Sequence, residues 1–148
     1  MKMKLTLLVI LFCGFCNAQI VNIPDANFKI KLLGAASTNL FAKDLNGNYF
    51  KIDANSDGQI QQSEADNVSE LNLTYDLNGV SYYIVSLEGI TSFTNLVKLN
   101  LERNRIETLT ITGMQHLTDL NCKSTGYYTS TLILDNLPAL TTLNCSDV

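Results

Sequence analysis

Oxygen-bearing side chains recur at alternate positions through Asp53-Ala54-Asn55-Ser56-Asp57-Gly58-Gln59-Ile60-Gln61-Gln62-Ser63-Glu64. The spacing D-x-[DN]-x-[DN]-G-x5-E lets Asp53, Asn55 and Asp57 turn three side chains toward one point while Gly58 permits a sharp reversal. Gln59 would offer its backbone carbonyl, Gln61 would act directly or through water, and Glu64 would close the shell with both carboxylate oxygens. Such an all-oxygen set suits a hard cation, so the stretch is read as a Ca2+ loop in preference to a solvated acidic turn. Ile60 falls where such loops direct an apolar side chain to the core. Three carboxylates, a neutral Asn55 and no second loop imply modest affinity, on the order of 10⁻⁴ to 10⁻³ M.

The elements around the loop decide what the ion could do. Ile23 to Gly34 predicts a helix of about ten residues, with Pro24 and Asp25 in its first turn, Gly34 as its stop and Phe28, Leu32 and Leu33 on its apolar side. Phe41 to Leu45 and Asn48 to Ile52 flank Asn46-Gly47, a pairing that suits a tight hairpin with positive φ at both turn residues. That hairpin leaves no room for a helix entering the loop, and an opening switch needs two helices. Ser63 to Val68 supplies a short exiting helix. The expected role of the ion is therefore a static clip.

Downstream, leucines recur at fixed spacing. Leu96, Leu99 and Leu101 reappear as Leu117, Leu120 and Cys122, then as Leu140, Leu143 and Cys145, and are preceded by Val68, Leu71 and Leu73. With Asn104 and Ile106 the run L-x-x-L-x-L-x-x-N-x-I matches the leucine-rich repeat pattern, whose short strands bury an apolar edge only when stacked. The expected fold class is an α/β repeat solenoid: a short stack of parallel strands over 68–148, in about four registers with the last incomplete, behind a small helical, EF-hand-like N-terminal cap over 19–67. The first repeat carries extra residues around Asn78-Gly79, read as a second hairpin bearing Tyr82 and Tyr83, either as packing or as a partner anchor. Gly126-Tyr127-Tyr128 widens a later loop.

In this register Asn72, Asn100, Asn121 and Asn144 form one outward column. They serve either as a hydrogen-bonded ladder between strands or as a polar strip for a ligand. Lys98 and Asp119 continue the alternating signs begun by Glu70, and Glu102 lies opposite Lys123. Cys122 and Cys145 share an inward position of adjacent repeats, either as small buried hydrophobes or as a disulfide pair. Asn104 is expected to point inward and bond the neighbouring turns.

Residues 1–18 read as an export signal, because Lys2 and Lys4 precede an apolar run from Leu5 to Phe15 and the small end Cys16-Asn17-Ala18 precedes Gln19. That apolar run is shorter than the ~20 residues a bilayer needs, and no later stretch could span a membrane. Removing that signal leaves 8 basic against 14 acidic side chains. An acidic chain without a basic cluster argues against nucleic acid or an anionic membrane surface as partner.

The order of export signal, Ile23-Pro24-Asp25-Ala26-Asn27-Phe28 helix, Asp53–Glu64 loop, then Leu99-Asn100-Leu101, Leu120-Asn121-Cys122 and Leu143-Asn144-Cys145 resembles secreted leucine-rich-repeat proteins of the Bacteroidetes type. More distantly it is similar to the internalins, whose repeats follow a helical cap. That resemblance implies secretion or surface display, adhesion and protein recognition. The expected function is thus a secreted or surface-displayed, calcium-stabilised binding module for a protein or glycan, with Asn72, Lys98, Asn100, Glu102, Asp119, Asn121, Lys123 and Asn144 as its face. The alternative is a structural or self-associating fragment of a longer cell-surface repeat protein, pairing edge to edge. An enzyme is not expected: His116 is the one histidine, and no nucleophile, base and orienting group can be assembled around it.

Overall fold

The computed structural model describes residues 19–75, 83–125 and 131–147. The export segment, the Asn78-Gly79 hairpin with Tyr82, the Gly126-Tyr127-Tyr128 loop and Val148 lie outside the described residues. Helix α1 (Ala26–Leu33) begins after Asp25 and is capped at its end by Gly34. Asp25 Oδ1 accepts the backbone N–H groups of Asn27 and Phe28, both at 2.9 Å, which satisfies two of the donors that a helix start leaves open. Its Oδ2 accepts from Val85 at 2.8 Å and Ser86 at 2.9 Å. One carboxylate therefore starts the helix and fastens it to a distant segment. Phe28 and Leu32 are buried, and the Phe28 ring lies 6.5 Å from that of Phe93. Lys31 is buried too, its Nζ donating to the carbonyls of Leu73 and Thr74.

The remaining elements are β1 (Ala42–Asp44), α2 (Gln62–Ala65), β2 (Val68–Asn72), a 3-10 turn at Ile90–Ser92, β3 (Lys98–Asn100), β4 (Thr108–Thr112), β5 (Asp119–Asn121), β6 (Thr131–Asp135) and β7 (Thr142–Asn144). The main sheet has the order β1-β2-β3-β5-β7, and β4 pairs with β6 in a second sheet. Parallel pairing of β2, β3, β5 and β7 aligns Leu71, Leu99, Leu120 and Leu143, the register that the leucine spacing required. Leu71, Leu73, Leu99, Leu101, Leu120 and Cys122 are buried in one core. The inward expectation fails at the edge strand β7, where Leu143 is 44 % exposed and Cys145 is exposed. Both cysteines are free.

The expected α/β repeat solenoid is corrected. The main sheet is mixed, because β1 runs antiparallel to β2 with Ala42 opposite Leu71 and a bulge between Lys43 and Asp44. After β3 the chain returns through strands and not helices: β4 and β6 pair in parallel from Thr108 opposite Thr131 to Thr112 opposite Asp135. The local cause is Thr108-Leu109-Thr110-Ile111-Thr112, in which β-branched residues alternate with an inward Leu109 and Ile111, both fully buried. Helix is confined, among the described residues, to the eight residues of α1, the four of α2 and the 3-10 turn.

The Asn46-Gly47 turn also differs from expectation. Only Gly47 has a positive φ, and the turn is organised by Asp44, whose Oδ1 accepts the N–H groups of Asn46 and Asn48 at 2.9 Å. The Asn48 bond first, with that of Asn46, holds the Asp44 carboxyl below the usual range. A side chain that gathers the turn's N–H groups removes the need for positive φ at both positions. The second strand is reduced to one bridge between Lys43 and Tyr49.

Candidate functional site

The loop from Asp53 to Glu64 is fixed at two points in the core, since Ile52 and Ile60 are each 1 % exposed. Between them the chain reverses through left-handed conformations at Ser56 (φ 63°) and Gly58 (φ 77°). Gly58 adopts that conformation without steric cost. Asp53 faces back across the turn and accepts the N–H groups of Asp57 at 3.1 Å and Gly58 at 3.2 Å. Asp57 accepts from Gln59 N at 2.8 Å, from Gln61 Nε2 at 2.7 Å and from Asn55 Nδ2 at 3.0 Å. Asn55 Nδ2 also reaches Gln61 Oε1 at 3.3 Å. Glu64, on α2, accepts from Ala54 N at 2.8 Å and Gln61 N at 3.0 Å, which closes the ring. The Gln59 side chain turns away to receive Lys29 Nζ from α1 at 2.8 Å, leaving only its backbone carbonyl for the loop.

Asn55, Asp57 and Gln61 thus meet through their side chains, while Asp53 and Glu64 bond backbone N–H groups of the same loop. By type, this all-oxygen donor set fits Ca2+. By position, no three His, Cys, Asp or Glu side chains among the described residues gather as a metal-holding group; the carboxylates of Asp53 and Glu64 accept the loop's own N–H groups. No helix enters the loop. Gln19 to Val21 line its far side instead: Val21 N donates to Ile60 O and Gln62 N to Gln19 O, both at 2.8 Å, around an antiparallel bridge between Ile20 and Gln61. Sequence reasoning missed this pairing, which exchanges backbone bonds only.

The outward face of the main sheet holds the second group of residues. Strands β2, β3, β5 and β7 each end on an asparagine whose Oδ1 accepts the N–H two residues on: Asn72 from Thr74, Asn100 from Glu102, Asn121 from Lys123 and Asn144 from Ser146. These Asx turns give a reason for asparagine at every strand end that neither expected role supplied. A ladder forms at one step, with Asn121 Nδ2 donating to Asn100 Oδ1 at 3.0 Å. Lys43 Nζ lies 2.8 Å and Lys98 Nζ 3.9 Å from the Glu70 carboxylate. The hydrogen bond to Glu70 raises the Lys43 pKa. Asp119 is lowered, first by the Thr118 hydroxyl and further by Thr142 and Lys98. Glu102 forms its ion pair with Arg103 at 3.6 Å in place of the expected Lys123.

Leu40, Phe41 and Tyr49 rise beside this face and complete a groove of about 480 Å3 across the five strands. The sequence placed the asparagines and charges on one surface but not this apolar wall, which depends on β1 joining the sheet. Asn104 is buried as expected, donating to the carbonyls of Leu73 and Leu101 and accepting from Ile84 N. His116 is exposed. No helix among the described residues is long and apolar enough to cross a membrane. No family model matches the chain, and no curated protein matches it.

Proposed function

We propose that this chain is an exported binding module, displayed or secreted, in which Ca2+ fastens the N-terminal part to the sheet and the outward sheet face recognises a protein or glycan. The observation that carries the calcium part is the order of oxygen-bearing residues Asp53, Asn55, Asp57, Gln61 and Glu64 around Gly58, on a turn anchored by Ile52 and Ile60 in which Asn55, Asp57 and Gln61 meet. Asp53, Asn55, Asp57, the Gln59 carbonyl, Gln61 and Glu64 would hold the ion, whose chemistry is charge neutralisation without catalysis. Glu64 belongs to α2, which leads directly into β2, so tightening the loop stabilises the start of the sheet. With no entering helix to swing, binding stabilises without rearrangement.

Thermal melting with millimolar CaCl2 or with chelator tests this reading. Calcium at a few times its dissociation constant should add about 1 kcal/mol, a small upward shift. Asp57→Ala should abolish the shift and Glu64→Gln should weaken it. An equal shift in the Asp57→Ala variant would overturn the site.

Self-association is the second reading, favoured by Leu143 and Ile133, each 44 % exposed, on β7 and β6, whose outer edges pair with no strand among the described residues. Open edges of this kind pair readily with another strand. Sedimentation at several concentrations separates the two readings.

A further inference from the structure

We propose that the groove on the outward face of the main sheet takes an uncharged oligosaccharide lying across the strands, an inference that rests on the reading of this face as a ligand surface. The groove's volume of about 480 Å3 suits a short polymer segment and is too small to seat a folded domain. Its wall is apolar, with Leu40 62 % and Tyr49 36 % exposed. Sugar rings offer C–H faces to such a wall and hydroxyls to amides, as few other neutral ligands do.

The polar floor argues for neutrality. Lys43 and Lys98 both face Glu70, and Lys98 also lies beside Asp119, so two cations balance two carboxylates already engaged with one another or with Thr118. A charged ligand would have to break those pairs, whereas an uncharged one leaves them intact. Hydrogen-bonding capacity remains at the ends of the asparagine column. The Oδ1 atoms of Asn72 and Asn144 are used by Thr74 and Ser146, but among the described residues their Nδ2 groups donate to no protein acceptor. Asparagine positions recur every ~4.8 Å across the sheet. Recurring donors match a polymer whose hydroxyls recur.

An extended peptide is the competing occupant. Peptides add to a sheet by taking main-chain bonds from an open edge. On this face the backbone groups of β2, β3 and β5 already bond neighbouring strands, so a peptide would gain side-chain contacts alone.

The test is titration calorimetry of the exported chain, in millimolar calcium, against uncharged tri- to hexasaccharides of glucose, xylose, mannose and N-acetylglucosamine. A uronic-acid hexasaccharide and a displayed random heptapeptide library serve as comparison. At least one uncharged series should bind saturably and more tightly with increasing length. Tyr49→Ala, and separately the double variant Asn72→Asp/Asn144→Asp, which keeps the Oδ1 acceptors of the two turns and removes their Nδ2 donors, should each weaken it roughly tenfold or more at unchanged melting temperature. Tyr49→Phe should retain it. Binding that Tyr49→Ala leaves untouched, or binding by the uronic acid alone, would overturn the proposal. Selected peptides that lose affinity in Tyr49→Ala would overturn the saccharide class while keeping the face as a binding surface. Failure of saccharides and peptides alike would overturn both readings.

Discussion

Replacing Asp25 by Asn keeps a good helix cap and removes the second carboxylate oxygen together with its charge. In the native chain that oxygen accepts from Val85 at 2.8 Å and Ser86 at 2.9 Å, joining α1 to a segment 60 and 61 residues away. An amide nitrogen there would face two donors. Hydrogen bonds to a charged acceptor contribute ~1.5 to 3 kcal/mol each when buried. Val85 is 59 % exposed and Asp25 only 7 %, so water compensates part of the loss at the outer end. The expected cost of Asp25→Asn is therefore about 2 kcal/mol. Asp25→Ala also loses the cap to Asn27 and Phe28, about 1 kcal/mol more. Urea unfolding followed by circular dichroism should show midpoints falling by roughly 1 M for Asn and further for Ala, at unchanged slope. If Asp25→Asn stays within about 0.5 kcal/mol of the native chain, Asp25 is only a helix cap and the cross-link to Val85 and Ser86 carries no stability.

Other perturbations have definite expected outcomes. Leu101→Ala opens a cavity at a residue with no exposed surface and should cost ~2 to 5 kcal/mol in the same urea assay. Gly89→Ala forces a side chain into a left-handed backbone (φ 99°), with its Cβ 2.5 Å from the Asn22 carbonyl oxygen; a loss of ~1 to 3 kcal/mol is expected. Burial, with some help from Cys145, pushes the Cys122 thiol up to about 11 from an ordinary 9.0. The unfolded thiol then ionises first, so stability is full below the ordinary value and falls as pH rises toward 11, by up to ~1.4 kcal/mol per unit. Denaturation midpoints measured across that window should lose this component in Cys122→Ala.

The leucine register was open to sequence reasoning because side chains alternate along a strand and one repeated alternation fixes which face is buried. Leu71, Leu99 and Leu120 show it. Gly34 marked the end of α1 for an equally local reason, the unsatisfied acceptors at a helix end, whereas Pro24 and Asp25, expected in the first turn, precede a helix that starts at Ala26. Pairings made by backbone alone were hidden. Nothing in the side chains of Ala42-Lys43-Asp44 or Gln19-Ile20-Val21 names β2 or the Ile60 segment as partner. The second sheet left a visible sign in Thr108 to Thr112, whose β-branched alternation favours strand, yet the repeat pattern around it accounted only for the strands at Leu71, Leu99, Leu120 and Leu143. Spacing placed the four asparagines in a column, but their role as strand terminators depends on the N–H two residues on. For the candidate metal loop, residue types and order were readable throughout. Its bracing by Gln19 to Val21 was not.

Calcium titration of the Asp53–Glu64 loop tests the account most directly. Calorimetry on the exported chain, with circular dichroism of the same samples, should give one ion per chain, a dissociation constant on the order of 10⁻⁴ to 10⁻³ M and an unchanged spectrum. Asp57→Ala should remove the heat. No binding at millimolar calcium, or a spectrum transformed by it, would contradict the static clip on which the proposed function rests.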